Sequence, residues 1–277
     1  MSERGPIAIF DSGVGGLSVW REIASLLPGE DILYLADQAH VPYGTRALEE
    51  VRAFSEAIAG FLVEKGAQVI VLACNTASAA ALHHLRRVFP QVPFVGMEPA
   101  VKPAVERTHN GTVGVIATPA TFQGELFASL INRYAGGVRV LTQACPGLVE
   151  AVEAGALDTP VTEALLRQYL TPLIEAGIDQ LVLGCTHYHF LRPLIERIAG
   201  NGVMVIDPAP AVARQTARVL AQQGRAAGPR AYGRHVFYTS GDRATFAAQL
   251  EQLLPVSGNP WDVRVVRWRE GRLESDE

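Results

Sequence analysis

Lysine is scarce in this sequence, and its scarcity bears on the choice of chemistry. Only Lys65 and Lys102 occur among the 277 residues. Lys65 is followed by Gly66 at the predicted end of a helix, and Lys102 lies in a first helical turn, so neither position suits a buried Schiff base. Because pyridoxal phosphate needs a lysine for that bond, the sequence favours chemistry without it, and we expect no cofactor.

Long apolar runs and an excess of positive charge are also missing. No apolar segment near the N-terminus has the length of a secretion signal or a bilayer span. The net charge is −4 and the pI is near 6.0, which gives no electrostatic footprint for nucleic acid. A solvated strand edge is our interpretation of the late basic run Arg264, Arg267, Arg269 and Arg272. We expect a cytoplasmic protein with neither nucleic-acid nor membrane partners.

Only three cysteines are present, and in a reducing compartment they are expected to be free thiols rather than a disulfide framework. Two of them occupy matching places. Cys74 ends the apolar run 69–73 and Cys185 ends the run 181–184, and a threonine follows each within two residues. Cys145 precedes a proline and lacks a polar cluster of its own, so we interpret it as structural.

Apolar segments of strand length alternate with helical patterns, and the whole order restarts at Thr112. The predicted loops 36–46 and 145–155 occupy the same place in the two halves. Such alternation predicts an α/β fold of two pseudo-symmetric α/β domains with mostly parallel sheets and an active site in the cleft between them. We expect a first domain of residues 1–97 plus 208–277 and a second of residues 98–207.

The two matching thiols lie where a strand ends and a helix begins. A helix N-terminus lowers the pKa of a cysteine through its dipole and free N–H groups, and the same donors can receive a carboxylate. Two thiols on opposite sides of a carbon acid allow one to remove a proton while the other supplies one to the far face, which is racemisation. Asp11 and His187 are the candidates for tuning the two thiols.

Two other kinds of site are suggested by local patterns, and both are disfavoured. The run Gly13-Val14-Gly15-Gly16 lacks the third glycine of a dinucleotide fingerprint. Its glycines more simply let the backbone turn tightly and approach a small ligand. Cys185, His187 and His189 lack the second ligand pair of a structural metal site, so we expect no metal.

Four motifs, in the right order, resemble those of glutamate racemases in the aspartate/glutamate racemase superfamily: 11–18 (DSGVGGLS), 42–44 (PYG), 73–77 (ACNTA) and 184–188 (GCTHY). The resemblance extends over about the first 210 residues. It implies a cofactor-independent isomerase with two pseudo-symmetric domains, which interconverts L- and D-glutamate and assembles as a homodimer. It also implies that the product D-glutamate serves peptidoglycan synthesis, and with it cell wall biogenesis and cell shape.

The resemblance also assigns roles to particular residues. It implies that Cys74 is the base toward D-glutamate, assisted by Asp11, and that Cys185 is the base toward L-glutamate. His187 with Glu153 would support Cys185, and Glu150 in the same loop is the alternative to Glu153. The residues implied to hold the substrate are Asp11, Ser12, Tyr43, Gly44, Asn75, Thr76, Thr186 and His187.

Two alternative functions are consistent with the same residues. Within the same chemistry, the substrate could be aspartate, a hydantoin or another small carboxylate. From a different class, the chain could be a non-catalytic two-domain module that binds a small anion, which needs the cleft but not the thiols.

Overall fold

The computed structural model describes residues 5–224, 232–254 and 261–276. Residues 1–4, 225–231, 255–260 and 277, all within the expected first domain, lie outside the described residues. The strands are β1 (Ile7–Asp11), β2 (Ile32–Ala36), β3 (Val69–Leu72), β4 (Phe94–Gly96), β5 (Thr112–Ala117), β6 (Arg139–Ala144), β7 (Gln180–Gly184), β8 (Met204–Ile206), β9 (His235–Thr239), β10 (Asp262–Arg269) and β11 (Arg272–Ser275).

Helices separate most of these strands. They are α1 (Leu17–Leu26), α2 (Leu48–Glu64), α3 (Asn75–Val88), α4 (Val101–Arg107), α5 (Pro119–Gln123), α6 (Glu125–Tyr134), α7 (Leu148–Glu153), α8 (Pro160–Glu175), α9 (Arg192–Ala199), α10 (Ala209–Gln222) and α11 (Arg243–Leu253), with 3-10 helices at Tyr43–Thr45 and Thr186–Leu191. None of the helices in the described ranges combines the length and apolar character required to cross a bilayer.

The described strands form two sheets with the same internal order. In the larger sheet the order is β11-β10-β9-β2-β1-β3-β4, and in the smaller it is β6-β5-β7-β8. The order β2-β1-β3-β4 therefore matches β6-β5-β7-β8, and every pairing except that of β10 with β11 is parallel. The predicted α/β class with mostly parallel sheets is confirmed.

The central strands are apolar because both of their faces are covered. Every residue of β1, β3 and β7 is buried, as expected for parallel strands with helices on both sides. One apolar cluster runs from beneath α1 into the second half and includes Val14, Ile23, Val152, Leu183 and Tyr188. This shared core holds the carboxyl ends of β1, β3 and β7 at one junction between the sheets.

Two short elements depart from the loops expected at equivalent places. The segment 145–155 contains helix α7, which follows Gly147 at φ 86° and buries Leu148, Val149 and Val152. A loop was expected here because the segment takes the place of residues 36–46 in the repeated order, although its apolar spacing is helical. The matching segment 36–46 contains only the 3-10 helix Tyr43–Thr45. Helix α7 matters because it carries Glu153.

Candidate active site

Both thiols lie at the junction between the two sheets. Cys74 follows β3 and caps helix α3, and Cys185 follows β7 and precedes the 3-10 helix Thr186–Leu191. Their residues are 6% and 9% exposed, and all three cysteines of the chain are free thiols. The two strands are equivalent in the repeated sheet order, so each half contributes one thiol.

Cys74 is more strongly affected by burial than by its helix. Its Sγ accepts a hydrogen bond from the N–H of Ala77 at 3.4 Å, as an N-cap does. Burial nevertheless raises the pKa of Cys74 above its ordinary value, and the negative charges of Asp11 and Cys185 raise it further against the donors of α3. The N–H donors of the helix lower the pKa of Cys74 as predicted, but burial and Asp11 outweigh them, so the expected net lowering of that pKa is wrong. Asp11 and both thiols therefore lie within electrostatic range of one another.

Cys185 is joined to a buried histidine–carboxylate pair. Its Sγ lies 3.8 Å from Nδ1 of His187, and Nε2 of His187 lies 2.7 Å from Oε1 of Glu153. Burial by itself would lower the pKa of His187, but the hydrogen bonds with Cys185 and Glu153 and their negative charges outweigh it and hold the pKa well above its usual range. His187 therefore bridges the Cys185 sulfur and the Glu153 carboxylate.

Glu153, rather than Glu150, is the carboxylate of this site. Its Oε1 also accepts the N–H of Val14 at 2.7 Å, and its Oε2 accepts from Nε2 of Gln38 at 3.1 Å. Burial would raise the pKa of Glu153, but the hydrogen bond and charge of His187 and the other two donors hold it below its usual range. Glu150, three residues earlier on α7, is exposed.

Asp11 links the two halves from the end of β1. It is fully buried, and its carboxylate accepts from the Thr186 hydroxyl and from the N–H of Gly13, both at 3.0 Å. Burial raises the pKa of Asp11, against the lowering effect of His187 and these two donors. Asp11 thus contacts the Cys185 loop by a hydrogen bond and acts on Cys74 through its charge.

The glycine-rich loop after β1 receives side chains from the second half. A Cβ atom at Gly13 would collide with the Glu153 carboxylate, and one at Gly15 would collide with the His187 ring and the Thr186 hydroxyl. The sequence predicted that these glycines permit close approach of a ligand. In the structure they permit close approach of the catalytic candidates themselves.

A cluster of three threonine hydroxyls lies beside Cys74. The hydroxyl of Thr76 lies 2.9 Å from that of Thr118 and 3.2 Å from that of Thr121, and the last two are 2.9 Å apart. Sequence reasoning missed Thr118 and Thr121. A signal was present in the sequence, because Thr118 follows β5 and β5 is the equivalent of β1 in the second half. The residue that follows β1 is Ser12, which is a predicted substrate residue and is 4% exposed.

The side-chain amide of Asn75, a predicted substrate residue, has no protein partner in the described part of the chain. Asn75 is 3% exposed, and neither its Nδ2 nor its Oδ1 has a hydrogen-bond partner there. A buried amide left without partners is costly. Such a group, at the first residue of α3 and next to Cys74, is suited to receive a polar ligand.

The predicted pair Tyr43 and Gly44 lies across the same junction. The Tyr43 hydroxyl donates to Asp37 at 2.6 Å, which fixes the buried ring. A Cβ atom at Gly44 would collide with the Thr118 side chain, so the backbone here lies directly against the second half. All of the predicted site residues therefore lie at or border the junction, but the Tyr43 hydroxyl is already committed to Asp37.

The remaining candidates lie elsewhere or have other partners. Lys65 lies over the ring of Phe61, and Lys102 is half-exposed and pairs with Glu106. No group of three metal-ligating side chains is found in residues 5–224, 232–254 and 261–276. The Cys145 thiol donates to the Gln143 carbonyl at 3.4 Å, and burial raises the pKa of that thiol.

Comparison with known proteins decides the family. The family model for Asp/Glu/hydantoin racemases matches residues 12–216, which include both thiols, Asp11's neighbour Ser12 and the Glu153–His187 pair. The chain belongs to this family. The resemblance drawn from the four motifs is thereby confirmed.

Individual glutamate racemases resemble this chain over most of its length. A glutamate racemase from Roseiflexus sp. (strain RS-1) is 58% identical over 219 residues, covering 79% of this chain and 80% of that protein. The structure of glutamate racemase isoform RacE1 from Bacillus anthracis aligns with a TM-score of 0.85 at 32% identity, over 97% of this chain and 98% of that one. Glutamate racemase from Francisella tularensis, solved in complex with D-glutamate, aligns with a TM-score of 0.81 at 30% identity, over 94% and 97% of the two chains.

Proposed function

We propose that this racemase-family protein interconverts L- and D-glutamate by two-base proton transfer between Cys74 and Cys185, without a cofactor. The observation that carries the proposal is the pair of thiols at equivalent strand ends, one from each half, buried at a single junction. The glutamate racemases that resemble this chain over most of its length support glutamate as the substrate.

The reaction needs only the atoms of the two thiols and the substrate. In the L-to-D direction the Cys185 thiolate takes the proton from Cα, and the electron pair of the broken C–H bond remains on Cα, delocalised into the adjacent carboxylate. The Cys74 thiol then donates its proton to the opposite face. The products are D-glutamate, the Cys185 thiol and the Cys74 thiolate, and the reverse reaction runs from that state.

The surroundings of Cys74 favour its thiol form, which is the form that the L-to-D direction needs. The raised pKa of Cys74, caused by burial and by Asp11, keeps that side chain protonated as the acid. His187, held by Glu153, contacts the sulfur of Cys185, the base proposed for L-glutamate. We infer that Cys74 is a thiol before L-glutamate binds.

The polar groups beside the thiols would hold the substrate. The unpartnered amide of Asn75 and the N–H groups at the start of α3 are suited to a carboxylate, together with the hydroxyls of Thr76 and Thr186. Ser12, Tyr43, Gly44 and Asp11 border the same space. These assignments concern binding, whereas Cys74, Cys185, Asp11, His187 and Glu153 are proposed to serve the proton transfers.

Solvent exchange tests the proposed reaction directly. L-Glutamate incubated with the protein in D2O is expected to lose its circular dichroism as D-glutamate forms, and deuterium is expected at Cα of the D enantiomer. If neither signal changes while the protein remains folded, the proposal is wrong. Parallel reactions with aspartate and a hydantoin test the alternative substrates, which the similarity to glutamate racemases does not favour. Ligand binding that survives alkylation of the thiols, with no exchange, would favour the non-catalytic anion-binding module.

The wider setting is also a proposal. We propose two domains, residues 1–97 plus 208–277 and residues 98–207, because β9, β10 and β11 extend the larger sheet beside β2 while β5 to β8 form the smaller one. We also propose a homodimer, a cytoplasmic location and a role of D-glutamate in peptidoglycan synthesis and cell shape; membership of the family supports these proposals, and the free thiols fit a reducing compartment. Light scattering of the purified protein tests the dimer, and D-glutamate auxotrophy of a deletion strain tests the role.

A further inference from the structure

Glu153 is held from its far side by two glutamines that no sequence motif singles out. Its Oε1 faces His187 and Val14, whereas its Oε2 accepts from the side-chain amide of Gln38 at 3.1 Å. Gln38 lies in the loop after β2, so this contact crosses between the halves. Gln249, on helix α11, donates from Nε2 to the backbone carbonyl of Glu153 at 2.6 Å. Side chain and backbone of Glu153 are thus fixed together.

The Gln38 amide can face Glu153 in only one orientation. Its Oε1 accepts from the hydroxyl of Thr239 at 2.8 Å, and that hydroxyl oxygen accepts the N–H of Gly241 at 2.9 Å. Its Nε2 also donates to Oε1 of Gln249 at 2.8 Å. A flipped amide would set its carbonyl oxygen against the carboxylate and against Gln249, losing both bonds. The chain of donors therefore runs in one direction, from Gly241 to Glu153.

We propose that Gln38 and Gln249 are positioning residues that hold the Glu153 carboxylate against His187 and so keep Cys185 ready to take the proton of L-glutamate. This inference rests on the two-cysteine reaction proposed above. Gln249 and Thr239 lie beyond residue 216, where the family match ends. Thr239 is the last residue of β9, a strand of the larger sheet, and Gln249 is on helix α11. The C-terminal segment thereby takes part in tuning a thiol that belongs to the other sheet.

Isotope effects separate positioning from a general loss of structure. L- and D-glutamate have equal energy, so any variant must lower kcat/KM equally in the two directions. The Cα deuterium effect need not change equally. If proton transfer to or from Cys185 becomes slower, that step limits the overall rate more strongly. The deuterium isotope effect on kcat/KM then rises for Cα-deuterated L-glutamate, because Cys185 removes its label. It falls for Cα-deuterated D-glutamate, because Cys74 removes that label.

The test compares Gln38→Met and Gln249→Met with a control on the same helix. Gln252 lies one turn further along α11 and donates to the carbonyl of Gly155 at 3.0 Å, an exposed contact that does not touch Glu153. We expect about a tenfold fall in kcat/KM for the first two variants, since each loses a bond that orders a charged group, with the isotope effects moving in opposite directions. Gln252→Met is expected to match the wild type in both measurements.

A further variant tests the proposal in case the two glutamine variants do not fold. In Gly241→Ala the new Cβ would lie 2.9 Å from Cβ and 3.2 Å from Oε1 of Gln38, displacing its amide while removing no polar group. The same opposite movement of the isotope effects is expected. If the wild type is active but the variants leave both isotope effects unchanged or move them in the same direction, or if Gln252→Met loses as much activity as the others, this inference alone is overturned. A wild type that racemises neither enantiomer overturns the proposed function and this inference together.

Discussion

The surroundings of Cys74 and Cys185 differ sharply, although the strands that carry them are equivalent. Cys185 lies beside a charged relay in which every partner of Glu153 and His187 is already engaged. The charge of Asp11 acts on Cys74, but no side-chain ion pair of the described residues contacts it, and the polar groups beside it are neutral: the N–H donors of α3, three threonine hydroxyls and the unpartnered amide of Asn75. Repetition of a fold has produced two similar strand ends but not two similar proton sites.

This difference suggests a division of labour. One thiol contacts a charged, fully bonded network, and buried ionic groups act strongly on each other where solvent is excluded. Neutral hydroxyls and a spare amide do little to a protonation state but can bind a polar ligand. We therefore expect changes beside Cys185 to alter proton transfer and stability, and changes beside Cys74 to alter substrate binding.

Removal of either thiol is expected to have the largest effect and to erase the difference between the two sides. Cys74→Ala and Cys185→Ala should each lower the rate of racemisation by about 10²–10⁴-fold or more, the contribution expected of a positioned acid or base. Circular dichroism of the glutamate enantiomers measures the rate, and the far-ultraviolet spectrum checks the fold. Near-normal turnover in either variant would contradict the two-base reaction.

Neutralising the carboxylate beside Cys185 is the next largest change. Glu153→Gln should lower the free energy of unfolding by about 1–3 kcal/mol, because it removes a charged hydrogen-bond partner from a buried site. The pKa of Glu153 is lowered in the folded protein, so its stabilisation is complete above the ordinary value of 4.5 and is lost as pH falls through the folded-state pKa. The pKa of His187 is raised in the folded protein, so its stabilisation is complete below the ordinary value of 6.5 and is lost as pH rises through the folded-state pKa.

The loss in Glu153→Gln should therefore be greatest between these two values and smaller at both extremes. Urea unfolding of wild type and variant over a series of pH values measures the difference. The matched control is Glu150→Gln, on the exposed side of the same helix, which should show no such maximum. A difference that does not vary with pH would mean that the pair is not ionised in the folded protein.

Asn75 and Thr186 allow the two sides to be compared at the level of binding. Asn75→Leu removes a buried amide without a partner, so the protein should become more stable while KM for glutamate rises about tenfold. Thr186→Val removes a hydroxyl that donates to Asp11 at 3.0 Å, so it should be less stable. Thermal unfolding and steady-state kinetics measure both. Destabilisation by Asn75→Leu would show that the amide has a structural partner instead of a substrate.

The sequence was informative wherever a pattern is local or repeated. Apolar strands, the restart at Thr112 and the two thiols in matching places predicted the parallel sheets, and the family motifs pointed to residues that the fold gathers at one junction. Gln38 and Gln249 could not be predicted, because their contacts join residues far apart in the chain and no spacing marks them. The pKa of Cys74 was predicted in the wrong direction because the helix dipole is visible in a sequence whereas the extent of burial is not.

The smallest expected effect concerns the hydroxyl cluster beside Cys74. Thr118→Val keeps the shape of the side chain but removes a hydroxyl that lies 2.9 Å from Thr76, and we expect kcat/KM to fall by about fivefold, equivalent to ~1 kcal/mol for one neutral hydrogen bond. Thr76→Val should cost a similar amount, and the double variant less than the sum, since the two hydroxyls share one bond. Fully additive losses would show that the two threonines act separately. A change in the Cα deuterium effect for one enantiomer alone would show that this side, too, tunes proton transfer.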